Sequence, residues 1–181
     1  MSAATPFATN FSMLARAARP GVGRAADAPL LVPAQGIQCG ALSLAFPYAW
    51  ARAIIEDFSL TPVPNAPAWL VGAANVEGEI VPVFDLASWV AGEPPERSPG
   101  DAGPRRARLL VGGHEGDRAA IFVSGPARMV RYAPEAQLAV DEMPLPERLR
   151  AVVVCASETT PQHWVVDARR LFDVLAQQLT S

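Results

Sequence analysis

Residues 69 to 92 read WLVGAANVEGEIVPVFDLASWVAG, and the fold of the chain is decided in this stretch. An apolar run from Trp69 to Ala74 has strand length, Asn75 to Gly78 is a tight-turn signal, and a second strand leads to Asp85. Asp85 is placed to accept hydrogen bonds from the first-turn amides of a short helix that Gly92 ends. Asn75 and Gly78 tolerate the positive φ of tight turns, and Gly72 lets a neighbouring backbone or a partner approach closely. Pro82 removes a ladder donor, which predicts an edge strand or a bulge.

Outward from this stretch the chain is a series of short strands. Ala41–Phe46 and Ala51–Ile55 precede the loop Glu56–Pro67. Arg108–Gly112 and Ala119–Ser124 flank a hairpin turn at residues 113–117, and Val152–Ala156 pairs with His163–Val166 around residues 158–162. Many short strands predict an all-β design. The sequences Val83-Phe84-Asp85 and Val165-Val166-Asp167 each lead into a helix with apolar residues at the same offsets, a weak internal pseudo-repeat. The second helix, 167–179, carries Leu171, Val174, Leu175 and Leu179 on one face, which predicts core packing. Residues 1–35 read as a flexible or partly helical tail. Within it Phe7, Phe11 and Leu14 could form one short apolar face, and Asp27–Gly36 is a Pro-containing lead-in. Gly92–Pro104 reads as a polar linker between a first barrel at about 36–91 and a second at about 105–166.

Composition removes several function classes. The chain has 181 residues, half of them hydrophobic, enough for a real core. With 18% charged residues and a net charge of −3, no broad positive field exists for nucleic acid. All fifteen basic residues are arginine, so there is no P-loop, kinase ATP-site or Schiff-base lysine. Prolines interrupt the apolar runs well short of the ~18 residues that span a bilayer, so no direct membrane insertion is expected. Cys39 and Cys155 are far apart and read as buried apolar side chains in a reducing cytoplasm. No catalytic, metal or cofactor site emerges. His114 and His163 fall in or beside turns, where a solvated side chain is the default. The four Cys and His residues show no ligand spacing, no G-x-S-x-G elbow is present, and Asp141-Glu142 reads as a solvated loop.

The spacing G-x-x-N-x-x-G-x-x-x-P-V-x-D-L, carried by Gly72, Asn75, Gly78, Pro82, Val83, Asp85 and Leu86, resembles the signature of the CheW-like adaptor family of bacterial chemosensory systems. Ala41–Ile55 resembles the family's opening strands, Arg108–Val130 its central strand pair and Val152–Leu175 its closing strands and helix. The resemblance covers about residues 36–177, and Leu31–Gln35 with WLVGAANVEG is similar to the PilI-type branch of type IV pilus twitching motility. The resemblance implies two side-by-side five-stranded SH3-like barrels with short helices, one of them at the C-terminus. It also implies a cytoplasmic, non-catalytic adaptor between the hairpin tip of methyl-accepting chemoreceptors and the regulatory domain of a CheA-type histidine kinase. By carry-over, Ala51, Ala53, Gly72, Asn75, Glu77 and Gly78 face the receptor, and Arg108, Leu109 and Leu110 face the kinase. The runner-up is a stand-alone β-barrel scaffold for another regulatory protein.

One position departs from the family. Its turn usually reads N-x-R-G, whereas Glu77 stands at the arginine position, and the acid usual on the second strand is replaced by Ala53, beside Arg52. A reversed or relocated charge pair is expected, with Glu77 facing Arg52 or a basic receptor residue; a solvated turn residue is the alternative.

Overall fold

Each short apolar run pairs with another to satisfy its backbone groups, and the computed structural model describes residues 29–94, 107–136 and 145–180. The N-terminal Phe7/Phe11/Leu14 face, most of the 92–104 linker and Asp141-Glu142 lie outside the described residues. Strands β1 (Val32–Cys39), β2 (Leu42–Pro47), β3 (Ala51–Ile55), β4 (Leu60–Thr61), β5 (Leu70–Val76) and β6 (Glu79–Phe84) come first, then helix α1 (Leu86–Ala91). After the linker follow β7 (Arg108–Gly112), β8 (Ala119–Val123), β9 (Arg128–Tyr132), α2 (Glu147–Arg150), β10 (Val153–Ala156), β11 (Trp164–Val166) and α3 (Ala168–Leu179).

The strands form a five-stranded sheet ordered β10-β11-β2-β1-β9 and a six-stranded sheet ordered β3-β7-β8-β6-β5-β4. The two-residue β4 is the strand beyond five. Each sheet therefore draws on both halves of the chain, and the division into barrels at 36–91 and 105–166 does not hold. The chain leaves the first sheet after β2, through a turn closed by the Trp50 N–H on the Pro47 carbonyl at 2.9 Å, and returns to it after β8. The linker joins two parts of the six-stranded sheet. Parallel ladders, β2 with β11 and β6 with β8, stitch the separate chain stretches together.

The pseudo-repeat is visible in the hydrogen bonds. Asp85 N–H donates to the Trp69 carbonyl at 2.8 Å and Asp167 N–H to the Val152 carbonyl at 2.9 Å, in each case the residue just before the antiparallel partner strand. Asp85 then accepts from the Ala87 and Ser88 amides and Asp167 from the Arg170 amide, so both helices start from a side-chain cap.

Two sequence expectations fail at β1. The tail to residue 35 and the lead-in to Gly36 overlap a strand lying between β2 and β9, with Ala34, Gly36 and Ile37 buried. Gly36 has a packing reason, since a Cβ there would come within 2.8 Å of Val130 Cγ1 and 3.0 Å of the His163 ring. Pro82 also sits on an interior strand, where the parallel ladder to β8 begins only at Val83, so its missing N–H breaks no bond of that ladder.

Each sheet curls around its own apolar interior. Val76, Val81, Val83, Leu109, Val111 and Ala120 fill the six-stranded sheet, and Ala34, Ala45, Val130, Tyr132, Cys155 and Val165 the five-stranded one. The free edge of β9 meets the chain leaving β10 at the sheet's other edge. Glu158 N–H donates to the Arg131 carbonyl at 2.8 Å and Arg131 N–H to Thr159 Oγ1 at 3.0 Å, which protects that edge. A larger core lies between the sheets and under the helices, with Ile37, Phe46, Leu110, Ile121, Trp89, Leu149, Leu171 and Leu175 all inside it. Leu179 at the end of the predicted helical face leaves it and is 43% exposed.

Candidate functional site

The signature stretch folds as read, with a sharper division of labour. Val76 pairs with Glu79, leaving Glu77 and Gly78 as a two-residue loop with φ of +53° and +90°. Positive φ at both central residues is the type I′ geometry that suits the twist of a hairpin. Asn75 is not itself at positive φ; its Oδ1 accepts from the Gly78 N–H at 2.9 Å and so fixes the turn. Gly72 makes room inside the molecule, because a Cβ there would stand 2.8 Å from the Thr61 carbonyl oxygen of β4.

Glu77 is not paired with Arg52. Its Oε2 accepts from Arg118 Nη1 at 3.0 Å, and Arg118 Nε lies 3.3 Å from Glu79 Oε2. Glu79 Oε1 accepts from the Gly116 N–H at 3.0 Å. Arg52 instead reaches the Gly113 carbonyl and His114 Nδ1, at 3.4 and 3.2 Å. These contacts set the start of β3, the β7–β8 turn and the β5–β6 turn along one rim of the six-stranded sheet.

Of the receptor-side candidates, Ala53, Asn75, Glu77 and Gly78 are exposed on this sheet and its rim, whereas Ala51 and Gly72 are buried. On the kinase side only Arg108 reaches the surface, paired with Glu56 at 2.8 Å. Leu109 and Leu110 are fully buried on opposite faces of β7, one inside the six-stranded sheet and the other in the central core. Flanked by β3 and β8, β7 has no free edge either, so neither leucine can meet a partner directly. Sequence reading missed Ile80, opposite Asn75 and 69% exposed. The alternation Glu79-Ile80-Val81-Pro82-Val83, with both valines inward, carries the signal that places it outward.

The histidines separate. His114 is exposed in the β7–β8 turn, while His163, expected to be solvated, is buried. Its backbone N–H donates to Ser157 Oγ at 2.9 Å, its Nδ1 lies 2.8 Å from the Pro161 carbonyl, and burial pushes its pKa down. Both cysteines are buried free thiols whose pKa values burial raises. Among the described residues no group of three or more His, Cys, Asp or Glu side chains could hold a metal, and no helix is long and apolar enough to cross a membrane.

Two interlocked, curled sheets with a capped C-terminal helix and an exposed turn rim define a two-sheet β-barrel class of fold. The fold matches the scaffolding protein TtCheW from Thermoanaerobacter tengcongensis with a TM-score of 0.62 at 16% identity, covering 80% of this chain and 94% of that one. It is thus the CheW fold of two SH3-like subdomains. The family model for the CheW-like domain matches residues 35–173, and the chain belongs to that family of non-catalytic adaptors coupling chemoreceptors to CheA in chemotaxis signalling. No curated protein matches the chain in sequence. Neither finding singles out the PilI branch.

Proposed function

We propose that this chain holds a methyl-accepting receptor tip and the regulatory domain of a CheA-type kinase at the same time, at the cytoplasmic face of a membrane-associated array. The observation that carries this reading is the placement of the two candidate surfaces at opposite ends of β7. Gly112 leads into the turn rim that bears Glu77, whereas Arg108 and its partner Glu56 mark the other end. Four residue steps of strand separate them, about 14 Å at ~3.4 Å per residue, so the two candidate surfaces are distinct. Ala53, Asn75, Glu77 and Gly78 form the receptor side, with Ile80 as an apolar anchor. The kinase side is Arg108 with Glu56, beyond the Ile55 end of β3; Leu109 and Leu110 act beneath it as packing.

Size-exclusion of the chain with a receptor tip and a CheA-type regulatory domain from the same genome tests this. A ternary complex is expected, with Glu77→Arg losing the receptor and Arg108→Asp losing the kinase domain. Folded protein that binds neither partner, or binds them only in competition, refutes the bridge.

A further inference from the structure

We propose that Arg118 is a positioning residue for receptor recognition, and that the side chain recognised by the Glu77 turn is cationic. This rests on the receptor-side reading above. Glu77 occupies a backbone conformation that a residue with a Cβ adopts only at a cost, and its side chain is 79% exposed. Left alone, such a carboxylate would sample many rotamers in water and offer a partner little. Arg118 removes that freedom. Its Nη1 holds Glu77 Oε2 at 3.0 Å while its Nε faces Glu79 Oε2, which is shielded from solvent and accepts no hydrogen bond. Glu79 in turn holds the Gly116 N–H, so the guanidinium is anchored on the β7–β8 turn, not on a loose rotamer.

The charge of the clip fixes the partner's chemistry. Two carboxylates share one guanidinium, so one negative charge is left over, and of the two the Glu77 side chain is the one exposed at the surface. Glu115 and Asp117, exposed on the adjoining turn, add to the negative field there. Arg52, the other cation of the rim, is committed to Gly113 and His114. An arginine or lysine on the receptor helix completes this arrangement, and an acidic residue is repelled by it.

A double-mutant cycle read by calorimetry tests both parts. Wild type, Arg118→Gln, Glu77→Gln and the double variant are titrated with the cytoplasmic hairpin tip of a methyl-accepting receptor from the same genome, at low and high salt. Capture of the CheA-type regulatory domain reports the fold of each variant. Glu77→Gln is expected to weaken receptor binding about tenfold at low salt and to flatten its salt dependence. Arg118→Gln should weaken it comparably, and the double variant should be no worse than Glu77→Gln, because Arg118 acts through Glu77. Arg118→Lys keeps a cation beside Glu79 but loses the fork that reaches both acids, and should fall between wild type and Arg118→Gln. It serves as the deciding variant if Arg118→Gln does not fold. Losses that add in the double variant, an unchanged affinity in Arg118→Gln, or full affinity in Arg118→Lys overturn the positioning role while leaving the adaptor reading intact. Binding that strengthens with salt overturns the cationic partner. A wild type that captures the kinase domain but no receptor tip overturns the receptor-side reading and this inference together.

Discussion

Gly112→Ala isolates one packing event at the junction of the two sheets. Gly112 ends β7, and a Cβ built on it falls inside contact distance of Cδ2, Cε2 and Cε3 of the Trp50 ring. Its backbone is not in the left-handed region, so alanine adds steric crowding there without left-handed strain. To regain an optimal carbon–carbon separation of about 3.5 Å, the indole must retreat by roughly 1 Å. The ring is not free to do so. It stacks on Phe172 of α3 at 5.2 Å and is tilted against Phe46 of β2 at 5.2 Å. Overpacking of this kind costs ~1 to 3 kcal/mol, and disturbing two aromatic pairs adds ~0.5 to 1.5 kcal/mol each. The lower backbone entropy of alanine in the unfolded chain returns ~0.5 to 1 kcal/mol. A net loss of about 3 kcal/mol lowers Tm by roughly 6 to 12 °C in a domain of this size. Thermal and urea unfolding followed by circular dichroism measure it. Gly116→Ala is the reference: it meets no atom within 4 Å but has φ of +82°, so it should cost only ~1 to 2 kcal/mol of backbone strain. Adding Trp50→Leu to Gly112→Ala removes the ring and should cost less than the sum of the single changes. Gly112→Ala with an unchanged midpoint, or strict additivity with Trp50→Leu, would refute the reasoning.

Three further outcomes follow from burial. Leu109→Ala should cost ~2 to 5 kcal/mol of stability, whereas Arg108→Ala, removing a half-exposed ion pair, should cost less than ~1 kcal/mol in the same urea series. Kinase-domain binding should track Arg108 and not the folded fraction of Leu109→Ala. Because burial depresses the His163 pKa below its ordinary 6.5, the unfolded chain takes up a proton first as pH falls. Stability relative to His163→Gln should therefore be level at neutral pH and decline below about 6.5, by no more than ~1.4 kcal/mol per pH unit; a flat difference between pH 7.5 and 5 contradicts the burial argument. Burial also raises both thiols, so Ellman's reagent at pH 8 should label Cys39 and Cys155 only after denaturation, and stoichiometric labelling of native protein would show that either is accessible.

What was legible in the sequence is what depends on near neighbours. Asn75, Gly78 and Asp85 act on backbone within a few residues of themselves, so their spacing alone locates a turn and a helix start. Gly36 was read as punctuation because its reason for being glycine is Val130 and His163, both brought against it from distant parts of the chain. Likewise Leu109 and Leu110 read as one apolar run, and a run looks the same whether one face or both are buried. Their placement between two cores is a property of the topology, and it is what withdraws them from a binding surface. The Glu77 partner lay beyond reach for the same reason: Arg118 is far along the chain, while the nearer candidate, Arg52, serves a different turn.

The interleaving of the chain between the sheets bears on how firmly the two sheets are held together. Either sheet alone would have to be closed by strands from distant parts of the sequence, and the parallel ladders β2–β11 and β6–β8 provide that closure. The same exchange makes the larger core common property: Ile37 and Phe46 from one sheet, Leu110 and Ile121 from the other, and Leu171 and Leu175 from α3 pack in a single cluster. A displacement of one sheet against the other would have to open that cluster and the Gln38–Ser124 and Gly40–Ser124 hydrogen bonds at 3.0 and 2.8 Å. Close-packed interiors resist such sliding. The Glu77 rim and the Arg108 end both lie on the six-stranded sheet, so its hydrogen-bonded ladders set the distance between them, while the shared core holds that sheet against the other.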